Sequence, residues 1–255
     1  MCNDTPLRHE RRADQRESES SVMRCLVILP TYNERENLPA VIESIEQFAP
    51  SADVLIVDDN SPDGTGAVAD ELSGKQPNKI FVLHRKQKEG LGPAYVAGFK
   101  FALARGYDVV AQMDADLSHD PKYLPLFFNE ISNADVVIGS RYVNGISVIN
   151  WDLKRLILSQ AATFYVRTVT GLPLTDATTG FKCWRRNALQ AIDFEHISSN
   201  GYVFLAEMSY QAFRKNLRIK EVPIVFVERR LGRSKFDWPI IAEGFWRVIC
   251  MRLRR

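Results

Sequence analysis

Short apolar runs alternate with amphipathic stretches along most of this chain. Cys25–Pro30 is a compact apolar run that stops at a proline and predicts a buried strand. From Glu34 to Phe48 the apolar residues fall at Leu38, Val41, Ile42, Ile45 and Phe48, the period of a helix with one buried face. Asp53–Val57 predicts the second strand. The segment Asp58-Asp59-Asn60-Ser61-Pro62-Asp63-Gly64 is a dense turn signal that opens a helix running through Leu72. Lys79–His84 predicts a third strand, Gly90-Leu91-Gly92-Pro93 leads a helix that ends near Ala104, and Val109–Met113 predicts a fourth strand. Pro121–Ile131 reads as a helix and Ala134–Gly139 as a fifth strand.

Strands that alternate with helices predict an α/β fold, a mostly parallel twisted sheet flanked by helices. In such sheets ligands bind outside the carboxyl ends of the strands. Three polar clusters fall there: Pro30-Thr31-Tyr32-Asn33-Glu34, Asp58-Asp59, and Asp114-Ala115-Asp116. In the last, side chains two residues apart at a strand end point the same way. Two converging carboxylates suit Mg²⁺ or Mn²⁺, which fills its remaining positions with water and substrate phosphates. The same spacing also occurs in solvated turns, and it is the neighbouring clusters that favour a site.

Beyond residue 140 the regular alternation breaks down. Trp151–Thr170 predicts a helix stopped by Gly171-Leu172-Pro173. Thr175–Lys182 reads as a polar loop with no burial pattern, Val203–Arg214 as a helix, Ile219–Val227 as a strand, and Arg229–Lys235 as a basic loop. Residues 1–22 carry charges of both signs without an apolar core, which predicts a disordered polar tail rather than a signal peptide. One domain is expected over 23–236. The tail 237–255 follows as an amphipathic basic helix, with Trp238, Ile241, Phe245 and Val248–Ile249 on one face and Arg252, Arg254 and Arg255 at its end. Such a helix fits an anionic membrane interface, or packs on the domain or a partner subunit.

Composition narrows the class. The 255 residues are 45% hydrophobic and 25% charged with net charge +2, which supports a sizeable core and gives no argument for nucleic acid. Cys2, Cys25, Cys183 and Cys250 are scattered, so a disulfide framework is not expected and a reducing compartment is. No stretch reaches the roughly 18–20 apolar residues that span a bilayer.

Several chemistries drop out. No Gly-x-Gly-x-x-Gly follows the first strand, and there is no Walker loop or Gly-x-Ser-x-Gly elbow. The glycines Gly90 and Gly92 serve either a tight backbone approach or a helix cap. His84, His119 and His196 stand apart from one another and from cysteine, as structural or solvated residues do.

The motifs Leu29-Pro30-Thr31-Tyr32-Asn33-Glu34, Val57-Asp58-Asp59 through Thr65, and Asp114-Ala115-Asp116-Leu117-Ser118-His119 resemble those of the inverting GT-A glycosyltransferases of family 2. Gly139-Ser140-Arg141-Tyr142, Trp151-Asp152-Leu153-Lys154-Arg155, Gly201-Tyr202-Val203-Phe204, and Val222-Pro223-Ile224 through Lys235 narrow the resemblance to the polyprenol-phosphate (dolichol-phosphate) mannosyltransferases. The chain departs from many of them at Leu205, where Gln is common, and at Ala177 or Thr179, where Ser is.

The resemblance implies transfer of mannose from GDP-mannose to a polyprenyl or dolichyl phosphate, at the cytoplasmic face of a membrane. It implies donor binding by Pro30, Tyr32, Glu34, Val57, Asp59, Asp114, Ala115, Asp116, Ser118, Arg229 and Lys235. Asp114, Asp116 and Ser118 would serve the metal. Asp116, Arg141 and Arg155 would carry catalysis, the two arginines at the acceptor phosphate, with Ser159 near them. A different sugar or acceptor on the same fold, such as glucose from UDP-glucose onto undecaprenyl phosphate, remains open. So do a catalytically silent nucleotide-sugar-binding subunit and a separate membrane subunit.

Overall fold

The computed structural model describes residues 23–197, 199, 201–228 and 238–253, without the side chains of 238–243. The polar tail 1–22 and the basic loop 229–235, with Arg229 and Lys235, lie outside the described residues.

The first half follows the predicted alternation. In order come β1 (Cys25–Thr31), α1 (Leu38–Phe48), β2 (Asp53–Asp58), α2 (Thr65–Lys75), β3 (Ile80–His84), α3 (Leu91–Ala104) and β4 (Val109–Gln112). A 3₁₀ turn (Pro121–Tyr123) leads into α4 (Leu124–Glu130), where one helix was expected, and β5 (Val136–Ser140) follows. Two prolines explain the break: Pro121 opens the 3₁₀ turn under the Asp120 cap, and Pro125 sits in the first turn of α4.

The second half holds β6 (Val148–Ile149), α5 (Leu153–Thr170), β7 (Lys182–Arg185), α6 (Arg186–Ala191), α7 (Gly201–Arg214), β8 (Ile219–Pro223), β9 (Phe226–Val227) and α8 (Trp238–Leu253). The strand expected over Ile219–Val227 is therefore two strands in two sheets, parting after Pro223.

The main sheet has the order β3-β2-β1-β4-β7-β5-β8, and β6 pairs with β9 apart from it. Every neighbour pair is parallel except those of β7, which runs antiparallel to both β4 and β5. Strand β1 shows how the sheet is covered on both faces. Leu26 and Ile28 pack with α3 and α7 through Phe99 and Phe204, while Val27 and Leu29 pack with α1 through Leu38, Val41 and Ile45. A strand buried on both sides reads as a continuous apolar run.

The direction of β7 has a consequence for the site. Lys182 opposes Gln112 at the end of β4 and Ile138 near the end of β5. The chain entering β7 therefore crosses the same edge at which the parallel strands end.

Candidate active site

Asp59, just past β2, is buried and accepts hydrogen bonds from Glu89 N (3.2 Å) and Gly90 N (3.0 Å) on Oδ2. Its Oδ1 pairs with Arg85, which also pairs with Glu89. Asp59 thus fixes the 85–90 segment that leads into α3. Gly90 caps that helix at φ 99°, where a side chain would be strained. Gly92 serves close approach: a Cβ there would meet Ser199 O at 2.9 Å. From the same segment Lys88 lies over the Tyr32 ring, 3.7 Å from its centroid.

Other predicted donor residues sit in or beside the strand ends. Asn37 Nδ2 donates to Glu34 Oε2 at 2.8 Å, and Glu34 N donates to Thr65 Oγ1 at 2.9 Å, tying the segment after β1 to the start of α2. Val57 is wholly buried inside β2 and Ala115 is buried in the acidic loop, whereas Pro30 is partly exposed at the end of β1. Asp58 accepts from Thr31 Oγ1 (3.1 Å) and Ser61 Oγ (2.6 Å), and so shapes the turn rather than facing a ligand.

The Asp114–Ser118 loop leaves β4 and folds back on itself. Ser118 donates to Asp116 Oδ1 from its amide (3.1 Å) and its hydroxyl (2.5 Å). Leu117 between them sits at φ 62°, a left-handed conformation that costs about 1 kcal/mol for a residue of this kind. Ser118 is buried with its hydroxyl turned onto Asp116, so the structure shows it orienting that carboxylate.

Asp114 is held from two sides. Its backbone N–H donates to His119 Nδ1 at 3.0 Å, which puts the ring proton on Nε2. The 3.8 Å from Nδ1 to Asp114 Oδ2 is then a contact without a shared proton. Tyr95 OH donates to Asp114 Oδ1 at 3.3 Å. Burial first, and then Asp114, push the Tyr95 phenol well above its ordinary value, so it stays a neutral donor.

No third carboxylate, histidine or cysteine completes a metal set among the described residues. Asp114 and Asp116 nevertheless fit a hard divalent cation that takes its other ligands from phosphate and water, because both are oxygen donors fixed by their neighbours.

Arg141 follows β5 and is buried. Its Nε and NH2 reach Asp176 at 2.6 and 2.7 Å, its backbone N–H reaches the same carboxylate at 3.1 Å, and NH2 also donates to Thr178 Oγ1 at 3.0 Å. Burial opposes the arginine's charge, but Asp176 outweighs it and raises the pKa. Arg155 lies in the first turn of α5, whose N-cap Asp152 accepts the Arg155 N–H at 2.7 Å. Its guanidinium pairs with Glu228 and stacks 4.5 Å from the Trp151 ring centroid.

Aromatic rings join the parts. Phe226 lies 5.5 Å from the His119 ring and 5.4 Å from Trp151, and Arg141 lies 5.3 Å from Trp151. The carboxylate loop and the two arginines therefore border one another through Phe226, His119 and Trp151. Tyr142 OH donates to Ser159 Oγ at 2.8 Å beside them.

By resemblance Asp176, Thr178 and Lys182 belong to a family loop to which the sequence gives no firm role, and His119 reads as structural or solvated. The structure shows what each of them holds. The loop Thr175–Lys182 is not unpatterned: Asp176, Ala177, Thr179 and Lys182 are buried. Lys182 Nζ donates to Leu205 O and to Ser209 Oγ, joining β7 to α7.

The mostly parallel sheet with its acidic carboxyl edge is a GT-A-like fold. The family model for glycosyl transferase family 2 matches residues 26–193, and the chain belongs to that family. It is 48% identical over 222 residues to the undecaprenyl-phosphate mannosyltransferase of Micrococcus luteus, covering 87% of this chain and 91% of that one. It is 46% identical over 226 residues to the polyprenol monophosphomannose synthase of Mycolicibacterium smegmatis, covering 88% and 85%. The fold is also similar to glucosyl-3-phosphoglycerate synthase of Mycobacterium tuberculosis in complex with Mn²⁺, UDP and glucosyl-3-phosphoglycerate. That likeness has a TM-score of 0.66 at 17% identity, over 99% of this chain and 85% of that one, and is one of fold alone.

Proposed function

We propose that the protein transfers mannose from GDP-mannose to the monophosphate of a polyprenol, with inversion at the anomeric carbon. The observation that carries this reading is the contiguity of the Asp114–Asp116 loop with Arg141 and Arg155 through Phe226 and Trp151. The names of the two relatives point the same way.

Asp114 and Asp116 would hold Mg²⁺ or Mn²⁺, which when bound supplies charge neutralisation for the diphosphate leaving group. Tyr95 and Ser118 keep those carboxylates aimed, and His119 holds the Asp114 backbone. Asp59 and Arg85 would hold the loop beside the nucleoside. By resemblance Arg229 and Lys235 would add positive charge at the donor phosphates. Arg141 and Arg155 would seat the acceptor phosphate, which with a second pKa near 6 is already mostly dianionic at neutral pH. Such a nucleophile needs no general base, and the site's work is positioning and electrostatics.

The acceptor is a lipid, and the surface beside Arg155 is apolar. Leu153, Ile157 and Phe164 are exposed on α5, as are Trp246 and Leu253 on α8, which packs on α5 with the Tyr165 and Phe245 rings 4.2 Å apart. No helix among the described residues is long and apolar enough to cross a membrane. The surface of α5 and α8 would instead rest on the cytoplasmic face of the bilayer, alone or against a separate membrane subunit.

The test is an assay of radiolabelled GDP-mannose with polyprenyl phosphate in detergent, with Mn²⁺, Mg²⁺ or chelator. Labelled lipid forms only with metal, and Asp116→Ala abolishes it while circular dichroism is unchanged. Full activity of Asp116→Ala refutes the metal assignment. Transfer from UDP-glucose in preference to GDP-mannose refutes the donor.

A further inference from the structure

The loop that presents Asp176 is held by a residue with no part in the site so far. Glu221 lies on β8 opposite Ile138 of β5. Its Oε2 accepts from Thr175 N at 2.8 Å, and its Oε1 accepts from Thr175 Oγ1 at 2.8 Å and from Asp176 N at 2.9 Å. Thr175 Oγ1 also lies 2.8 Å from Ser140 Oγ, and that hydroxyl accepts from Tyr142 N and Val143 N.

Two neighbouring turns are therefore tied at two points. The turn after β5 carries Arg141, and the loop before β7 carries Asp176. One tie is the Arg141–Asp176 pair, and the other runs from Glu221 through Thr175 to Ser140. All three groups that Glu221 faces are donors, so a carboxylate, which only accepts, fits where an amide would turn an N–H toward another donor. Asp176 is fully buried, so when its backbone moves the carboxylate and the paired guanidinium must move with it. Arg141 spends Nε and NH2 on that loop, and the direction of its remaining edge is set by where Asp176 stands.

We propose that Glu221 is a positioning residue for the acceptor-phosphate site, acting through Asp176 on Arg141. The proposal rests on the reading that Arg141 meets the acceptor phosphate. Glu221 itself touches neither substrate, since its carboxylate is engaged with Thr175 and Asp176. Its loss would move the acceptor side of the site and leave the Asp59 and Asp114–Asp116 side in place.

The experiment compares wild type, Glu221→Gln, Arg141→Lys and the double variant in the full chain, by steady-state kinetics against each substrate separately. Glu221→Gln raises KM for polyprenyl phosphate about tenfold and leaves KM for GDP-mannose unchanged. In the Arg141→Lys background the same substitution adds less than twofold, because its effect passes through the guanidinium. Equal rises in both KM values, or a full tenfold effect persisting in the double variant, overturn the relay. If Arg141→Lys raises the acceptor KM while Glu221→Gln is silent, the relay alone falls. If Arg141→Lys leaves the acceptor KM unchanged, the acceptor role of Arg141 falls and the relay falls with it.

Discussion

Replacing Lys182 by Met tests how a lysine is kept in the middle of the sheet. Lys182 is fully buried, and burial pushes its ammonium down from 10.5 to about 7, with Asp176 acting in the opposite direction. Between pH 7 and pH 10.5 the unfolded chain binds a proton at this site that the folded chain does not. Stability contributed by this residue therefore rises with pH across that window, by at most roughly 1.4 kcal/mol per unit, and is flat below it. Met has similar length and no charge, and Ser209 Oγ still reaches Leu205 O at 3.3 Å, so the substitution leaves that hydroxyl a partner. Urea unfolding followed by tryptophan fluorescence at pH 6.5, 8 and 9.5 gives the difference between the two proteins, in which all other titrations cancel. Lys182→Met has its greatest stability advantage at pH 6.5, and that advantage shrinks by about 2–3 kcal/mol at pH 9.5. A difference that stays constant with pH refutes the argument.

Two further outcomes follow from contacts already described. Arg85→Ala removes the cation that pins Asp59 and loosens the 85–90 segment, so isothermal titration shows a donor dissociation constant raised about tenfold with the acceptor KM unchanged. Ile157→Glu combined with Trp246→Glu places two charges on the exposed apolar surface of α5 and α8, and co-sedimentation with anionic vesicles falls tenfold or more, while transfer to a detergent-solubilised acceptor persists.

The first five strands were legible because they are short apolar runs closed by turn residues. The helix α1 was legible because Leu38, Val41, Ile42 and Ile45 recur at helical spacing and are all buried. Strand β7 was hidden for a physical reason. It is four residues long, with Lys182 and Arg185 at its ends, and its approach is polar. Pattern reading sends polar residues to the surface, yet here they are buried because they satisfy one another. The pairing Val148–Ile149 with Phe226–Val227 is two residues on each side, too short for any period. The carboxylates of the site were readable as local motifs. The partners of the arginines were not, since Asp176 is 35 residues from Arg141 and Glu228 is 73 from Arg155.

Strand β7 divides the sheet in a way that reaches beyond packing. The ladder β3-β2-β1-β4, which ends in Asp59 and Asp114–Asp116, shares no backbone pairing with the ladder β5-β8, which ends at Arg141 and carries Glu221. β4 is registered against all four residues of β7, and β5 against three of the same four. A chain built this way can drift on one side of β7, accumulating changes around Arg141 and Glu221, while the pairing beneath the acidic loop is untouched. If Arg141 meets the acceptor as proposed, this layout lets the acceptor side change while the pairing under the donor side stays as it is.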